Sequence, residues 1–336
     1  MVRARGTLLG LALLAAACGT AGGDLAIDEP TPSLFDDDEV IVAESTTTRP
    51  ESIGVEQLAG AELPSPDPTA PGVAVVDGIA LAIDEVVDGT WFAASPCGTV
   101  LSGDDEPRRA LVVVDPAGDV RVEAHGTTTT AINHSIATIL ASELEAVGVA
   151  SLVTRGAGDD VAASVRAAAA DASGARVVVS IAVAEGDGVL VDEPPLDVVH
   201  TAADDDARRL AGLIHQSLIP VLNDLPGAWT NAAQPGVRAV LNQRGTDFYT
   251  VLREAEDQAR VVVHLPALNA NTVELFSSPV TTVNMAQGLA DAIARHLLTD
   301  DEGDGFVAPA ETVRNASTAT GEPCVDPLAS STEGDG

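Results

Sequence analysis

A strand buried on both faces is predicted by the run Arg176-Val177-Val178-Val179-Ser180-Ile181. Its β-branched residues leave no polar stripe, which is typical of a strand in the middle of a parallel sheet. An Ala-rich helix is predicted before it, from Val161 to Ala172. Two more strands are predicted upstream, at Ala110 to Val114 and at Ala150 to Thr154, with an amphipathic helix between them.

The same alternation continues downstream. A helix is predicted from Asp204 to Leu218 and is expected to end at Pro220. Another buried strand follows at Val261-Val262-Val263, and a last helix is predicted from about Val283 to Leu298. Strands that alternate with helices indicate an α/β fold, in which a mostly parallel twisted sheet is flanked by helices on both faces.

Composition and charge exclude one class of partner. The 336 residues include 51 Asp and Glu against 17 basic residues, all of them Arg, which gives a formal charge of -34. Such a charge repels the phosphate backbone, so we expect no nucleic-acid binding. Because 46% of the residues are hydrophobic and only 2% are aromatic, the core must be built from Val, Leu, Ile and Ala.

The amino terminus reads as a secretory signal. Arg3 and Arg5 precede a short apolar run that ends in small residues at Cys18. We expect residues 1–17 to be a lipoprotein signal peptide and Cys18 to be acylated, which would anchor the protein to the outer face of the cell membrane. An ordinary signal peptide with an incidental Cys18 is the alternative. The apolar run is too short to span a bilayer.

Composition divides the remainder of the chain. Residues 18–71 are acidic and rich in Pro and Thr, and we expect a solvated linker there. Residues 72–105 contain short alternating segments broken by Asp-Gly pairs, which predicts a small N-terminal β module made of hairpins. Residues 300–336 form an acidic tail, expected to be flexible except where Cys324 ties it.

Cys97 and Cys324 remain once Cys18 is set aside. An even pair in an exported protein predicts a disulfide. Two free buried thiols are the alternative. A bond between them would close a very long loop and join the two ends of the folded region.

Several motifs, taken together, resemble the zinc-dependent N-acetylmuramoyl-L-alanine amidases, which cut the bond between the glycan and the stem peptide of the bacterial cell wall. The resemblance covers residues 109–299 and implies an amidase type 3-like fold. The matching segments occur in the family's order: Val112 to Pro116, Ile132-Asn133, Leu152 to Arg155, Arg166, Val178 to Ile181, Asn242 to Gly245 and Phe248 to Arg253. The flanks around Cys97 and Cys324 resemble a lipoprotein-like actinobacterial branch.

The resemblance also locates the family's active-site positions, and all four have changed. The first zinc histidine corresponds to Gly118, the glutamate ligand to Thr129 and the second histidine to Ala182. The catalytic glutamate corresponds to His264. Three metal ligands and the general base are therefore replaced, and we expect no bound zinc and no hydrolysis by the family mechanism.

Polar residues near these four positions are expected to support the fold and not to take part in catalysis. They are Asp115, Asn133, Arg155, Arg166 and Ser180. Ser180 lacks the Gly-x-Ser-x-Gly context of a nucleophile. A rebuilt site from Glu123, His125 and His264 is the alternative.

These observations predict a pseudoenzyme of the cell envelope that binds peptidoglycan or an envelope protein such as a cell-wall enzyme. An active amidase with a rearranged zinc site and a purely structural spacer are the competing hypotheses.

Overall fold

The computed structural model describes residues 54–118, 123–124, 127–183, 189–191, 195–225, 229–231, 236–253, 258–269, 272–307, 310–313 and 324–329. The predicted signal peptide, Cys18 and most of the predicted linker lie outside these ranges. Within them, no helix has both the length and the apolar character needed to cross a membrane.

The described ranges contain sixteen strands and five α-helices. The strands are β1 (Val73–Val76), β2 (Ile79–Val87), β3 (Thr90–Ala94), β4 (Val100–Gly103), β5 (Val112–Pro116), β6 (Glu123–Ala124), β7 (Thr127–Thr128), β8 (Ser151–Val153), β9 (Val177–Val183), β10 (Val189–Val191), β11 (Asp197–His200), β12 (Trp229–Asn231), β13 (Gly236–Arg238), β14 (Val240–Asn242), β15 (Ala259–Leu265) and β16 (Glu311–Val313). The helices are α1 (Thr129–Ala146), α2 (Ala163–Ala172), α3 (Asp205–Asn223), α4 (Val273–Phe276) and α5 (Pro279–Leu298).

A six-stranded sheet forms the centre, in the order β13-β11-β15-β9-β5-β8. The pairs β8–β5, β5–β9 and β9–β15 are parallel. Strand β11 is antiparallel to β15, and β13 is parallel to β11, so these two strands run opposite to the other four. The predicted α/β class with a mostly parallel sheet is confirmed.

Alternate residues of each central strand face different layers of the protein. On one face the main core joins Val114, Val179 and Val263 to the helices α1, α3 and α5. On the other face Val113 and Val178 pack with the alanines of α2. Burying each Val or Leu of such a core contributes roughly 1.5–3 kcal/mol, so this two-sided packing holds the sheet between its helices.

The small β module is an antiparallel sheet in the order β1-β2-β3-β4. Its first two turns place Asp77-Gly78 and Asp88-Gly89 at positive φ, the conformation that Asp-Gly hairpin turns adopt. Val73 and Ala80 of the module join the alanines of α2 in one apolar cluster. The predicted hairpin module therefore covers the α2 side of the central sheet.

Helix α3 differs from its prediction. It continues through Pro220 to Asn223 instead of ending at the proline. Proline removes one backbone donor, which weakens a helix but does not end it where side chains beyond it are well buried. Leu222, two residues after Pro220, is fully buried in the main core, and this burial offsets the lost hydrogen bond.

Both predicted flexible ends pack more closely than expected. Leu58, placed in the predicted linker, is 1% exposed and belongs to the main core. The Asp67 N–H donates to the Gly174 carbonyl oxygen at 2.8 Å. In the predicted tail, β16 pairs with β14, and the Arg208 guanidinium lies 3.9 Å from the centroid of the Phe306 ring. Apolar residues within these acidic segments account for the difference.

The predicted disulfide between Cys97 and Cys324 is present, with a Cα–Cα distance of 5.7 Å. Two further contacts hold the same tail segment. The Ser95 hydroxyl hydrogen-bonds to the Asp326 carboxylate, and Leu328 is buried in the cluster that contains Trp91. The carboxyl-terminal segment is thereby fixed to the β module.

Candidate functional site

The carboxyl ends of β5, β9 and β15 meet at one edge of the central sheet. Ala182 lies opposite His264 in the register of β9 and β15. Pro116 lies opposite Ile181, and Gly118 follows two residues after Pro116. Crevices at this edge of open α/β sheets are the usual place for ligands. Three of the four positions singled out by the sequence are therefore brought together.

Asn133 brings the fourth position, Thr129, to the same edge. Its Nδ2 atom donates to the Ala117 carbonyl oxygen at 2.9 Å, and its Oδ1 atom accepts from the Val183 N–H at 2.8 Å. This one side chain ties α1 to the ends of both β5 and β9. Thr129, one helical turn earlier, is fully buried. Its hydroxyl is therefore shielded from solvent at the start of α1.

Asp115 is the centre of a buried polar network. Its carboxylate accepts from the Arg166 Nε at 2.8 Å and from the Thr154 hydroxyl at 2.5 Å. The Ser180 hydroxyl donates to the other carboxylate oxygen at 2.8 Å. Asp115 and Arg166 are each 1% exposed. The network links β5, β9 and α2, and Ser180 has no imidazole acceptor in it, which agrees with a supporting role.

Arg155 occupies the space beside Gly118. Its guanidinium donates to the carbonyl oxygens of Pro116 at 2.7 Å and Ala117 at 2.8 Å. A Cβ atom added to Gly118 would lie 3.0 Å from the Arg155 Cζ and Nε atoms. A side chain at this position therefore requires a small shift of the buried guanidinium that holds the end of β5.

His264 lies in a partly apolar pocket at the same edge. Its ring centroid is 5.2 Å from that of Tyr249, and its Nε2 atom is buried without a hydrogen-bond partner in the described part of the chain. Burial lowers the pKa of His264 below its usual value; the Asp197 carboxylate opposes this more weakly, and the Arg238 guanidinium lowers the pKa a little further. The imidazole is therefore neutral at pH 7.

Asp197, Arg238 and Tyr249 complete the surroundings of His264, and sequence reasoning gave no role to the first two. The Arg238 guanidinium binds both Asp197 carboxylate oxygens, at 2.8 and 2.7 Å. Burial raises the pKa of Tyr249 to about 12, and the nearby Asp197 carboxylate adds to this. Tyr249 belongs to the segment that the sequence placed near the family's substrate groove, and it packs beside the sheet edge.

The residues at this edge do not fit a catalytic zinc ion. Such an ion needs three nitrogen, sulfur or oxygen ligands and one open position. Gly118 and Ala182 carry no donor atom, Thr129 carries a buried hydroxyl, and His264 supplies one imidazole. Within the described ranges, no three His, Cys, Asp or Glu side chains converge in a way that could hold a metal ion. The Arg155 guanidinium beside Gly118 adds a charge that repels a cation.

The alternative site from Glu123, His125 and His264 receives no support from the described residues. Glu123 is exposed on β6, where it pairs with Thr128. His125 lies outside the described ranges.

Comparison with solved structures finds similar folds. N-acetylmuramoyl-L-alanine amidase AmiC2 of Nostoc punctiforme is 21% identical with a TM-score of 0.46, and the match covers 56% of this chain and 97% of that chain. The N-acetylmuramoyl-L-alanine amidase from Clostridium difficile 630 is 17% identical with a TM-score of 0.46, covering 57% and 99%. Ami1 from Mycobacterium smegmatis is 18% identical with a TM-score of 0.45, covering 56% and 97%. No protein-family model matches the chain, and no curated protein matches it.

Proposed function

We propose that this protein is an exported cell-envelope lipoprotein whose amidase-like domain is catalytically inactive and binds peptidoglycan or a cell-wall enzyme. The observation that carries the proposal is the composition of one sheet edge. Gly118, Ala182 and His264 meet there, and their side chains supply one imidazole as the only donor group. Hydrolysis by a zinc-bound water requires more ligands than this edge offers.

The intact frame around that edge supports a binding role. Asp115, Asn133 and Arg155 still fix the strand ends through buried hydrogen bonds. A scaffold whose strand ends are held in place can bind a ligand without cutting it, because binding needs shape and hydrogen bonds while hydrolysis also needs an activated water. Peptidoglycan is the first candidate ligand, since the sequence motifs resemble those of enzymes that act on it.

Export is supported by the signal-like amino terminus and by the disulfide. Bonds such as Cys97–Cys324 persist outside the reducing cytoplasm. Membrane attachment through Cys18 is tested by fractionating cells that express the full chain or its Cys18→Ala variant. The full chain is expected in the membrane fraction and the variant in the soluble exported fraction. Recovery of both in the soluble fraction would favour an ordinary signal peptide.

Co-sedimentation with purified sacculi tests the binding role. We expect the full chain to be retained on sacculi and to release no soluble muropeptides, with or without added zinc. Ala182→Arg should weaken retention, because it places a long cation in the half-buried position opposite His264. Ala168→Arg is the matched control, since Ala168 is exposed on α2 and away from the edge.

Three outcomes separate the hypotheses. Retention that Ala182→Arg reduces and Ala168→Arg leaves unchanged supports binding through this edge. Muropeptide release together with bound zinc in the purified protein would replace the proposal with an active amidase. Absence of retention would reject peptidoglycan as the ligand and leave a protein partner, which crosslinking in intact cells would identify.

A further inference from the structure

The β module contains a gap beside its first strand. Strand β1 pairs with β2 along one side, and on its other side Val73 exchanges both backbone hydrogen bonds with Arg108, at 2.9 Å each. Outward-facing amides alternate along an antiparallel strand, so the Val75 N–H and C=O groups point the same way as those of Val73. The next pair in this register, Val75 with Glu106, makes no backbone hydrogen bond among the described residues.

A cavity of about 340 Å³ fills this gap. It is lined by residues 73–75 of β1, by Trp91 of β3, and by Asp105, Glu106 and Arg108 of the segment after β4. Its volume lies at the lower end of the range of ligand pockets, roughly 300–1,000 Å³. The gap therefore has room for one residue with its side chain, beside a strand edge that has free backbone groups.

Trp91 forms one wall of the cavity. The residue is 5% exposed, and it packs so closely on Gly103 that a Cβ there would lie 2.4 Å from the indole Cζ2 atom. Its position is thus fixed by the module. The indole therefore forms a fixed, largely apolar wall of the cavity.

The acidic side chains that line the cavity favour a positively charged ligand. Asp105 and Glu106 are exposed and form no ion pair with any described residue, and Arg108 is the one cation in the lining. The formal charge of the whole chain is -34, so the surrounding potential also favours a cation.

We propose that this gap, which we call the β1 notch, binds an extended basic segment of a partner protein. One residue of the segment fits between Val75 and Glu106 and exchanges backbone hydrogen bonds with Val75, a local form of β-strand addition. Its Lys or Arg side chain lies against Asp105 and Glu106, and the aliphatic part of that side chain packs on the Trp91 ring. The β1 notch lies in the β module, so this inference is independent of the edge that contains Ala182 and His264.

Calorimetric titration of the full chain with short blocked peptides tests the inference. The probe is acetyl-Thr-Val-Lys-Val-Thr-amide, and the comparison peptide carries norleucine instead of lysine. We expect the lysine peptide to bind more tightly, and its affinity to fall with added salt. A third peptide, methylated on one backbone nitrogen beside the lysine, should bind more weakly because it cannot complete the pairing with β1.

A matched pair of variants locates the site. Asp105→Asn/Glu106→Gln should weaken binding of the lysine peptide by roughly fivefold, the scale of exposed ion pairs. Asp84→Asn/Glu85→Gln removes the same charge from exposed positions of β2 outside the cavity and should leave binding unchanged. Circular dichroism of both variants checks that the fold is intact.

Several results would overturn the inference. Equal affinity for the lysine and norleucine peptides would remove the role of Asp105 and Glu106. Equal loss in both double variants would mean that only the overall charge of the protein matters. Binding of soluble muropeptides in preference to all three peptides would reject a protein segment as the occupant of the β1 notch.

Discussion

Neutralising Asp115 by an Asp115→Asn substitution will destabilise the protein strongly, although the residue stands at the edge of a candidate site. The Arg166 guanidinium would keep its charge at 1% exposure and lose the carboxylate at 2.8 Å. Breaking a buried ion pair from one side costs about 3–5 kcal/mol, because an uncompensated charge stays buried. Weaker hydrogen bonds from Thr154 and Ser180 add to this loss.

The reverse change, Arg166→Met, should cost a similar amount, because it leaves the Asp115 carboxylate buried with two hydroxyl donors. The double variant should lose clearly less than the sum of the two single losses, by roughly 2 kcal/mol or more, since neither charge then remains unpaired. Asp206→Asn is the comparison. Asp206 is 62% exposed and lies 3.3 Å from Arg209, so its removal should cost less than about 1 kcal/mol.

Urea unfolding followed by far-ultraviolet circular dichroism measures the free energy of unfolding of each variant. The dependence of that free energy on urea concentration should be the same in all variants. A loss for Asp115→Asn no larger than that for Asp206→Asn would refute the structural reading of the network. Additive losses in the double variant would refute it as well. Retention of the folded Asp115→Asn protein on sacculi should match the original chain, because Asp115 is 1% exposed and its carboxylate is enclosed by Arg166, Thr154 and Ser180.

Three further predictions concern the disulfide, Gly118 and His296. Replacing Cys97 and Cys324 by Ser should lower the free energy of unfolding by about 2–5 kcal/mol, the usual effect of losing a native disulfide, and limited proteolysis should then cut the released carboxyl-terminal segment first. Gly118→Ala should destabilise the protein by about 1–3 kcal/mol in urea unfolding, because the added carbon meets the Arg155 guanidinium; a neutral effect would show that the guanidinium yields easily. Burial lowers the pKa of His296 from its ordinary value of 6.5 to about 4. As the pH falls, His296 therefore takes up a proton in the unfolded chain before it does so in the folded protein. The free energy of unfolding should then decrease between about pH 6.5 and pH 4. His296→Gln should remove on the order of 2 kcal/mol of that decrease, which is found by measuring the free energy of unfolding of both proteins at each pH. The same dependence on pH in both proteins would show that His296 does not cause the decrease.

The sequence predicted the centre of the fold well and its edges less well, for a physical reason. Strands such as Val177–Val183 are buried on both faces, so burial alone selects their composition and a continuous apolar run marks them. Strand β11 is short and carries Asp197 and His200 at its ends. Its antiparallel pairing with β15 depends on residues distant in sequence, so the local sequence pattern does not predict it. The buried Leu58 was missed because its neighbours are acidic and proline-rich.

The positions that meet at the candidate site were predictable from the sequence, and the side chains that surround them were not. Gly118 and Ala182 can be read from their places after recognisable strands. The guanidinium of Arg155 beside Gly118 could not be read this way, because it comes from the end of another strand and depends on packing. The unpaired Nε2 of His264 is likewise a property of its surroundings and not of its motif.

Arg155 also holds the shape of this edge through direct hydrogen bonds. A bound zinc ion would draw the chain ends together through its ligands. Here the guanidinium reaches the carbonyl oxygens of Pro116 and Ala117 on one side, and those of Gly156 and Asp159 on the other. Five donors in a fixed plane suit this task, which a lysine could not perform. The guanidinium therefore both supports the strand end and occupies space that a histidine at position 118 would need. Replacing Gly118 and Ala182 by His, and Thr129 and His264 by Glu, should consequently give a weak zinc site unless Arg155 is moved, and zinc titration of that quadruple variant tests this reasoning. Zinc binding as tight as in an active amidase would show that the guanidinium gives way.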